Sequence, residues 1–424
     1  MLPVVLFFAI SITFIEASHF RGGTINWKPT NIANEVEFRF KLGWTYGNGA
    51  GCNESLIGEY VTTGGEASGS WICTKGCQTQ IILSNTSYIC TGASRSENWE
   101  QGEYTFKYKF PDKGPFTIGF SSSAWMTLSY GSAGSWNVET VVDLRTRNDS
   151  KRLNSSPISG SRPMYRLQYG CNNTLTLPMT DADGDIIKCR WSRGSECASV
   201  CNGLPNASLD TDTCTLTFYS TTANQYQTNG WYAVALTIED YPRSAISMGG
   251  TTILPTTPIS SVPIQFLINT PSMSGSCQER PIFVNNTPPE NQLLVIKASQ
   301  SLNIRFYAAS KFGITDMTLM SPAGLQKSAL INDDLGRPDV SYIVVTWTPK
   351  QTDRGAHLLC GTAEDTQGKM SVPRCLTVLA WVIDPCHSTP CQNNGTCKRV
   401  GVTADYNCIC GPGYTGVLCG NSRY

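Results

Sequence analysis

The chain has 424 residues, with 32 basic and 32 acidic side chains, so its formal net charge at neutral pH is zero. A protein without net charge has no general electrostatic attraction to nucleic acid. A charged partner must therefore bind to a local patch of opposite charge. The 18 cysteines argue against a reducing compartment. The composition therefore excludes nucleic acid as a partner and predicts a secreted, extracellular protein.

Residues 1–17 form an apolar run, MLPVVLFFAISITFIEA, that is too short to span a bilayer. The run is typical of a secretory signal peptide. Cleavage after Ala17 keeps the charged Glu16 away from the third position before the cut, so we expect Ser18 to be the mature N-terminus. The best later apolar run, 376–383, is far shorter than the roughly 20 residues that a spanning helix needs. No membrane span is predicted.

Apolar and polar residues alternate along much of the chain, which predicts half-buried β-strands. No stretch of a dozen residues shows a helical period with caps at its ends. Further strand runs begin at Trp231, Ser301, Ser341 and Cys375. We predict an all-β protein of tandem β-sandwich domains. The two clearest alternating runs are Val36, Phe38, Phe40, Leu42 and Trp44, and Tyr104, Phe106, Tyr108 and Phe110.

Polar junctions divide the body of the chain into three predicted units. The first unit, 18–147, is a β-rich domain with four cysteines that can pair internally. The second unit, 150–271, contains five cysteines, so we expect Cys277 to complete its pairing. The third unit, 277–383, ends in two strand runs that a disulfide between Cys360 and Cys375 can join. The cysteines of the first two units are Cys52, Cys73, Cys77 and Cys90, and Cys171, Cys189, Cys197, Cys201 and Cys214.

In the second and third units, a strand that ends in an acidic pair precedes the final strand. These pairs are Glu239-Asp240 and Glu364-Asp365. The pattern resembles immunoglobulin-like and cadherin-like sandwiches, and the resemblance implies that fold for both units. The stretches SHFRGGTINW and DADGDIIKCRW are similar to a little-characterised group of secreted invertebrate proteins, a similarity that implies no activity.

A basic stretch connects the first and second units, and Asp149 is its only acid. This stretch fits either a site for a polyanionic glycan or a solvated linker flanked by glycans at Asn148 and Asn154. We favour the linker. The basic residues are Arg145, Arg147, Lys151, Arg152, Arg162 and Arg166.

The segment DADGD places Asp181, Asp183 and Asp185 at alternate positions around Gly184. Three carboxylates in this arrangement can converge on Ca²⁺, although the other ligands of an EF-hand loop are missing. A tight Asp-Gly turn needs the same residues for its backbone alone. The turn is the favoured interpretation, so we predict no cofactor, with calcium as the alternative at this segment.

The sequence gives little support for catalysis. The three histidines lie in no catalytic pattern, so we predict no catalytic residues and no enzyme. Eight N-x-S/T sequons predict a glycoprotein. They begin at Asn53, Asn85, Asn148, Asn154, Asn172, Asn206, Asn285 and Asn394.

Six cysteines near the C-terminus are separated by four, five, ten, one and eight residues. This spacing alone leaves fifteen pairings open. The segment, placed at 384–420, resembles an epidermal growth factor-like (EGF-like) module of the Notch type. The resemblance implies three disulfides, Cys386–Cys397, Cys391–Cys408 and Cys410–Cys419. It also implies O-linked sugars at Ser388, Thr396 and Thr415, with Thr396 shared by the sequon at Asn394.

Two classes of function remain. In the first, the protein is a structural or adhesive component of an extracellular coat, fibre or matrix, and its partners are extracellular proteins, including copies of itself. In the second, it is a soluble ligand that binds a receptor through the EGF-like module. A ligand of that kind usually needs only the small module, so we favour the structural and adhesive role.

Overall fold

A computed structural model describes residues 20–284, 286–333, 336–381, 386, 390–399 and 406–422. The predicted signal peptide, Ser18, Asn285 and Ser388 lie outside these residues. Nearly all regular structure is strand, so the predicted all-β class is confirmed. No helix in the described ranges is long and apolar enough to cross a bilayer. Six 3-10 helices of one turn complete the description: Glu54–Leu56, Gly65–Ala67, Gly194–Glu196, Ala198–Val200, Thr222–Asn224 and Gln351–Asp353.

The first unit pairs its strands in two series, β3-β6-β7-β2-β1 and β9-β8-β4-β5. The alternating run in β2 turns its five apolar side chains into the core. Phe38 of β2 pairs with Phe106 of β7, and their rings stack 5.0 Å apart. The strands are β1 (Phe20–Pro29), β2 (Glu35–Trp44), β3 (Tyr60–Val61), β4 (Ser70–Lys75), β5 (Ile81–Asn85), β6 (Tyr88–Ser94), β7 (Trp99–Lys109), β8 (Phe116–Ser123) and β9 (Ser135–Val142).

The second unit is built on β17 and β20, which pair along almost their whole length, with β14 beside β17 and β11 parallel to β20. A separate sheet of β12, β16 and β15 covers them. The strands are β10 (Ile158–Ser159), β11 (Met164–Arg166), β12 (Asn172–Thr176), β13 (Met179–Thr180), β14 (Ile186–Trp191), β15 (Ser208–Asp210), β16 (Thr215–Tyr219), β17 (Gly230–Tyr241), β18 (Ile246–Met248), β19 (Thr251–Ile253) and β20 (Ser260–Thr270).

Strand β20 also belongs to the sheet of the first unit, because it pairs with β1 on one side and with β9 at one position. At this crossing Gly22 has a φ of +141°, and a Cβ atom there would lie 2.0 Å from the carbonyl oxygen of Gln265. Only glycine allows the two backbones to approach so closely. Because β20 pairs with strands of both units, the first and second units share one sheet. Backbone hydrogen bonds therefore cross the predicted boundary near residue 148.

The third unit is a sandwich in which one sheet, β21-β23-β27-β25 with β26 beside β27, faces a second sheet, β22-β29-β28-β24. Phe306 and Val345 of the first sheet share a buried core with Leu359 and Val378 of the second. The strands are β21 (Ile282–Phe283), β22 (Gln292–Lys297), β23 (Leu302–Ala309), β24 (Ile314–Met320), β25 (Gln326–Lys327), β26 (Ile331–Asn332), β27 (Val340–Trp347), β28 (Gly355–Asp365) and β29 (Arg374–Trp381).

Basic side chains of the first unit bond to the third. Lys41 donates to the carbonyl oxygen of Ser321 at 3.0 Å, and its ammonium lies 3.6 Å from Glu103. Arg39 contacts the carbonyl oxygen of Ala356 at 3.3 Å and Nδ1 of the buried His357 at 3.1 Å. We call Arg39, Lys41 and His357 the basic interface.

The EGF-like module has two small hairpins, β30 with β31 and β32 with β33. The second hairpin extends past the predicted end at residue 420. The backbone of Tyr406 accepts a hydrogen bond from Arg152 at 3.1 Å, so the module touches the connection between the first two units. The strands are β30 (Thr396–Arg399), β31 (Tyr406–Ile409), β32 (Tyr414–Thr415) and β33 (Asn421–Ser422).

Candidate functional site

The DADGD segment forms a turn between β13 and β14. Asp181 Oδ1 accepts the backbone N–H groups of Asp183 and Asp185, both at 2.9 Å. Gly184 has a φ of +83°, in the left-handed region that favours glycine. The favoured turn interpretation therefore describes the backbone, and it leaves open what the carboxylates do.

Three buried carboxylates meet beside this turn, from Asp181, Asp185 and Asp240. Each offers an oxygen, and these oxygens all lie within 4.8 Å of one another. The exposed fractions of the three residues are 8%, 8% and 0%. Asp240 lies near the end of β17, in the acidic pair that the sequence showed but did not connect with the turn. We call Asp181, Asp185 and Asp240 the acidic group.

The members of the acidic group differ in their partners. The carboxylate of Asp185 bonds to both terminal nitrogens of Arg147, one of them at 2.8 Å. Asp240 Oδ1 accepts the backbone N–H of Ser260 at 2.7 Å, and Asp240 Oδ2 accepts the amide of Asn154 at 2.6 Å. Asp181 Oδ2 is buried and has no hydrogen-bond partner within the described part of the chain.

Asp183 is separate from this group, which corrects the predicted set of calcium ligands. Its Oδ2 accepts the backbone N–H of Ser155 at 2.6 Å, and it is absent from the group of converging carboxylates. The alternate positions of Asp181, Asp183 and Asp185 suggested a common ligand set, but the turn directs the middle carboxylate to the connection instead.

Burial shifts the pKa of Asp181, Asp183 and Asp240 upward, because the charged form loses its hydration. It raises the pKa of Asp181 well above the usual range, with the charge of Asp240 as the next cause. Burial also raises the pKa of Asp240 to about 7, against the opposing hydrogen bonds from Asn154 and Ser260. The pKa of Asp183 rises to about 6 for the same main reason.

The basic stretch is not a solvated linker, because Arg147 and Arg162 are buried and acidic side chains pair with most of its basic residues. Arg162 is buried against Glu97, with the nitrogen and oxygen 2.6 Å apart, and Arg147 is buried against Asp185. Ion pairs of 2.6 Å and 2.8 Å hold Arg145 with Asp143 and Arg166 with Glu364, and Lys151 is exposed at the surface.

One predicted glycosylation site lies in the interior of the fold. Asn154 is fully buried, and its amide nitrogen, which would carry the sugar, donates to Asp240. The side chain of Asn53 is half-buried. The remaining described sequons begin at exposed residues: Asn85, Asn148, Asn172, Asn206 and Asn394, and Thr396 and Thr415 are also exposed.

Nine disulfides join all 18 cysteines of the chain. Within the EGF-like module they have the pairing that the resemblance implied. Cys171–Cys277 ties the second unit to the start of the third, and Cys360–Cys375 joins β28 to β29. The other four bonds are Cys52–Cys90, Cys73–Cys77, Cys189–Cys214 and Cys197–Cys201.

Comparison with protein families identifies two segments. Residues 386–418 match the EGF-like domain model, which confirms the recognition of the C-terminal module. Residues 21–145 match the model of the N-terminal region of integrin beta-like proteins A–E. The second match begins and ends close to the predicted bounds of the first unit.

Two curated relatives from Dictyostelium discoideum align with nearly the whole chain. Integrin beta-like protein A is 22% identical over 98% of this chain and 22% of its own length. Integrin beta-like protein C is 23% identical over 98% of this chain and 23% of its own length. The chain thus spans about a fifth of the length of these relatives.

Solved structures resemble the chain only weakly. The adhesin SrpA from Streptococcus sanguinis is 10% identical over 31% of this chain and 91% of that structure, with a TM-score of 0.19. A likeness at this level carries no argument about function.

Proposed function

We propose that this chain is an extracellular adhesive protein that acts by contact with other proteins, including copies of itself. The observation that carries the proposal is the alignment of 98% of the chain with two integrin beta-like proteins. A secreted location is supported by the EGF-like module and by the nine disulfides, which persist in oxidising surroundings.

The units contact one another through hydrogen bonds, which suits a protein in which binding at one unit must be passed to the others. Strand β20 joins the sheets of the first two units, and the basic interface joins the first unit to the third. Arg152 adds a hydrogen bond to the EGF-like module. An adhesive role and a structural role in a coat or matrix would both use these connected units.

The experiment is to secrete the full chain from eukaryotic cells and measure its assembly by light scattering and electron microscopy. Attachment of cells to surfaces coated with the protein is measured in parallel. Assembly into polymers, or attachment above an uncoated control, is the expected result. A monomer to which no cells attach would contradict the proposal.

The alternative function is that of a soluble ligand whose EGF-like module binds a receptor. Val417 of that module is 81% exposed, so Val417→Asp changes its surface without disturbing a core. Ile82 of the first unit is 68% exposed and gives the matched control, Ile82→Asp. Loss of cell binding in the first variant alone would favour the ligand, because only the EGF-like module is altered there.

We also propose that an N-glycan at Asn394 and an O-linked sugar at Thr396 of the EGF-like module compete with each other. Both residues are exposed, and Thr396 is the hydroxyl residue of the sequon at Asn394. An N-glycan is added to the extended nascent chain, whereas the O-linked sugar that the resemblance implies requires a folded module. Mass spectrometry of the peptide from Cys391 to Cys397 should find one sugar or the other, and full occupancy of both on one molecule would contradict the competition.

A further inference from the structure

We infer that Asp181, Asp185 and Asp240 form a binding site for a hard divalent cation of the Ca²⁺ class. The spacing of their oxygens is the first argument. Oxygens that bind one Ca²⁺ lie 2.3–2.6 Å from it, so two of them on opposite sides are about 4.8 Å apart. The oxygens of the acidic group lie within 4.8 Å of one another, which allows all three to reach the same ion.

The second argument is the buried oxygen that lacks a partner. Buried polar atoms are almost always hydrogen-bonded, because the loss of hydration is costly. Asp181 Oδ1 is held by two backbone N–H groups of the turn, which leaves Oδ2 fixed in place with no donor in the described chain. A proton or a cation can be the partner of this oxygen, and the convergence of the three carboxylates within 4.8 Å favours the cation.

The third argument is charge. Asp181, Asp185 and Asp240 carry three negative charges when ionised, and the guanidinium of Arg147 is shared between Asp185 and Asp149. A divalent ion would neutralise the remainder. Each oxygen of Asp185 keeps a second lone pair beside its bond to Arg147, so the guanidinium can remain in place when the ion binds.

The elements that meet here indicate what the ion would do. Asp181 and Asp185 belong to the turn of the second unit, Asp240 belongs to β17, and Arg147 and Asn154 come from the connection that follows the first unit. A cation would link the turn to β17, next to the connection that contributes Arg147 and Asn154. Binding would therefore stiffen the junction between the first two units, which is independent of the proposed adhesive function.

Only hard cations suit this site. Its ligands are carboxylate oxygens, without the thiolates or imidazoles that favour zinc or copper. Calcium and magnesium differ in size, so titration with each ion separately measures the preference.

The test uses the full chain after removal of metal with a chelator. Titration calorimetry and thermal unfolding are measured at pH 7.5 with millimolar Ca²⁺. Native-state binding must raise the melting temperature, and we expect a rise on the order of several degrees. Asp181→Asn should abolish the rise, because it removes the unpartnered oxygen and leaves Oδ1 to hold the turn.

Asp181→Asn also distinguishes loss of the cation site from loss of the fold. The new amide would donate toward the neighbouring carboxylates, so the calcium-free variant should melt at least as high as the calcium-free wild type. Asp183→Asn is the matched control in the same turn and should keep the calcium response. No response in the wild type, or a response that Asp183→Asn removes and Asp181→Asn keeps, would overturn the inference.

Discussion

Two regions of the molecule bury charges of one sign, and they neutralise them differently. The basic interface places Arg39 and Lys41 against backbone carbonyl oxygens of the third unit, and Glu103 adds a carboxylate. Carbonyl oxygens at strand edges and loops are good acceptors for such donors. The basic interface is thus satisfied by the protein alone.

The acidic group is not fully satisfied by its hydrogen-bond donors. Arg147 is its guanidinium partner, and one oxygen of Asp181 has no partner among the residues described. A buried carboxylate needs hydrogen-bond donors or cations for its oxygens, and the donors around this group leave Asp181 Oδ2 without one. The comparison shows that a buried cluster of charges of one sign does not by itself indicate a ligand. It does so where a buried atom of the cluster has no hydrogen-bond partner in the protein.

The largest effect is expected from Arg147→Met, which leaves Asp185 buried without its partner. Breaking a buried ion pair on one side costs about 3–5 kcal/mol. Urea unfolding of the calcium-free variant should show this loss, and Ca²⁺ should restore more stability to it than to the wild type. Lys188→Met, which removes an exposed pair with Asp212, is the control and should cost about 1 kcal/mol or less. Equal losses of stability in Arg147→Met and Lys188→Met would contradict the view that the buried pair matters more than the exposed one.

In the basic interface, Lys41→Met should cost less. The variant leaves the carbonyl oxygen of Ser321 without its donor, a loss of about 1–3 kcal/mol. Ca²⁺ should not restore it, because the acidic group is untouched. Lys107→Met gives the control, since Lys107 is exposed and lies 3.9 Å from Glu37. A calcium-dependent recovery of Lys41→Met would mean that the two regions are coupled.

The basic interface should weaken in acid. Burial, and then the charge of Arg39, hold the pKa of His357 well below its usual range. The neutral ring therefore adds stability that is present above the unfolded pKa of about 6.5 and is lost as the pH falls below it. Compared with His357→Gln, which does not titrate, the wild type should lose about 1–2 kcal/mol between pH 7.5 and pH 5. Parallel pH curves for the two proteins would contradict this reading.

The smallest effect concerns glycans beside the acidic group. Asn154 donates to Asp240, so a sugar on its amide would break that bond and could not fit in the buried site. Peptide mapping of the secreted protein should find Asn154 unmodified. Asn148, six positions earlier and exposed, is the internal control that reports whether glycosylation reached this stretch. An occupied Asn154 in folded protein would show that the acidic group is assembled differently.

The sequence predicted the strands well because their signal is local. The alternation from Val36 to Trp44 requires only neighbouring residues, and all five apolar side chains are buried in β2. The EGF-like module was recognised for a similar reason, since its cysteine spacing is contained in one short segment.

The acidic group could be predicted only in part, because its members come from separate stretches. The turn suggested Asp181 and Asp185, but nothing local connected them with Asp240 or with Arg147. The ion pairs of the basic stretch could not be predicted for the same reason, since Glu97 and Glu364 are far from it in sequence. The acidic pair that ends β17 was the available signal, and it was used for the fold alone.

The pairing of β1 with β20 has a consequence for synthesis of the chain. Phe20 to Pro29 leave the ribosome early, but their edge at Gly22 to Thr24 is covered only when residues 264–266 have followed. Such long-range pairing is slow, and an uncovered edge can pair with other chains meanwhile. The N-terminal sheet is thus completed late, and this edge stays open to other chains until residues 264–266 have been made.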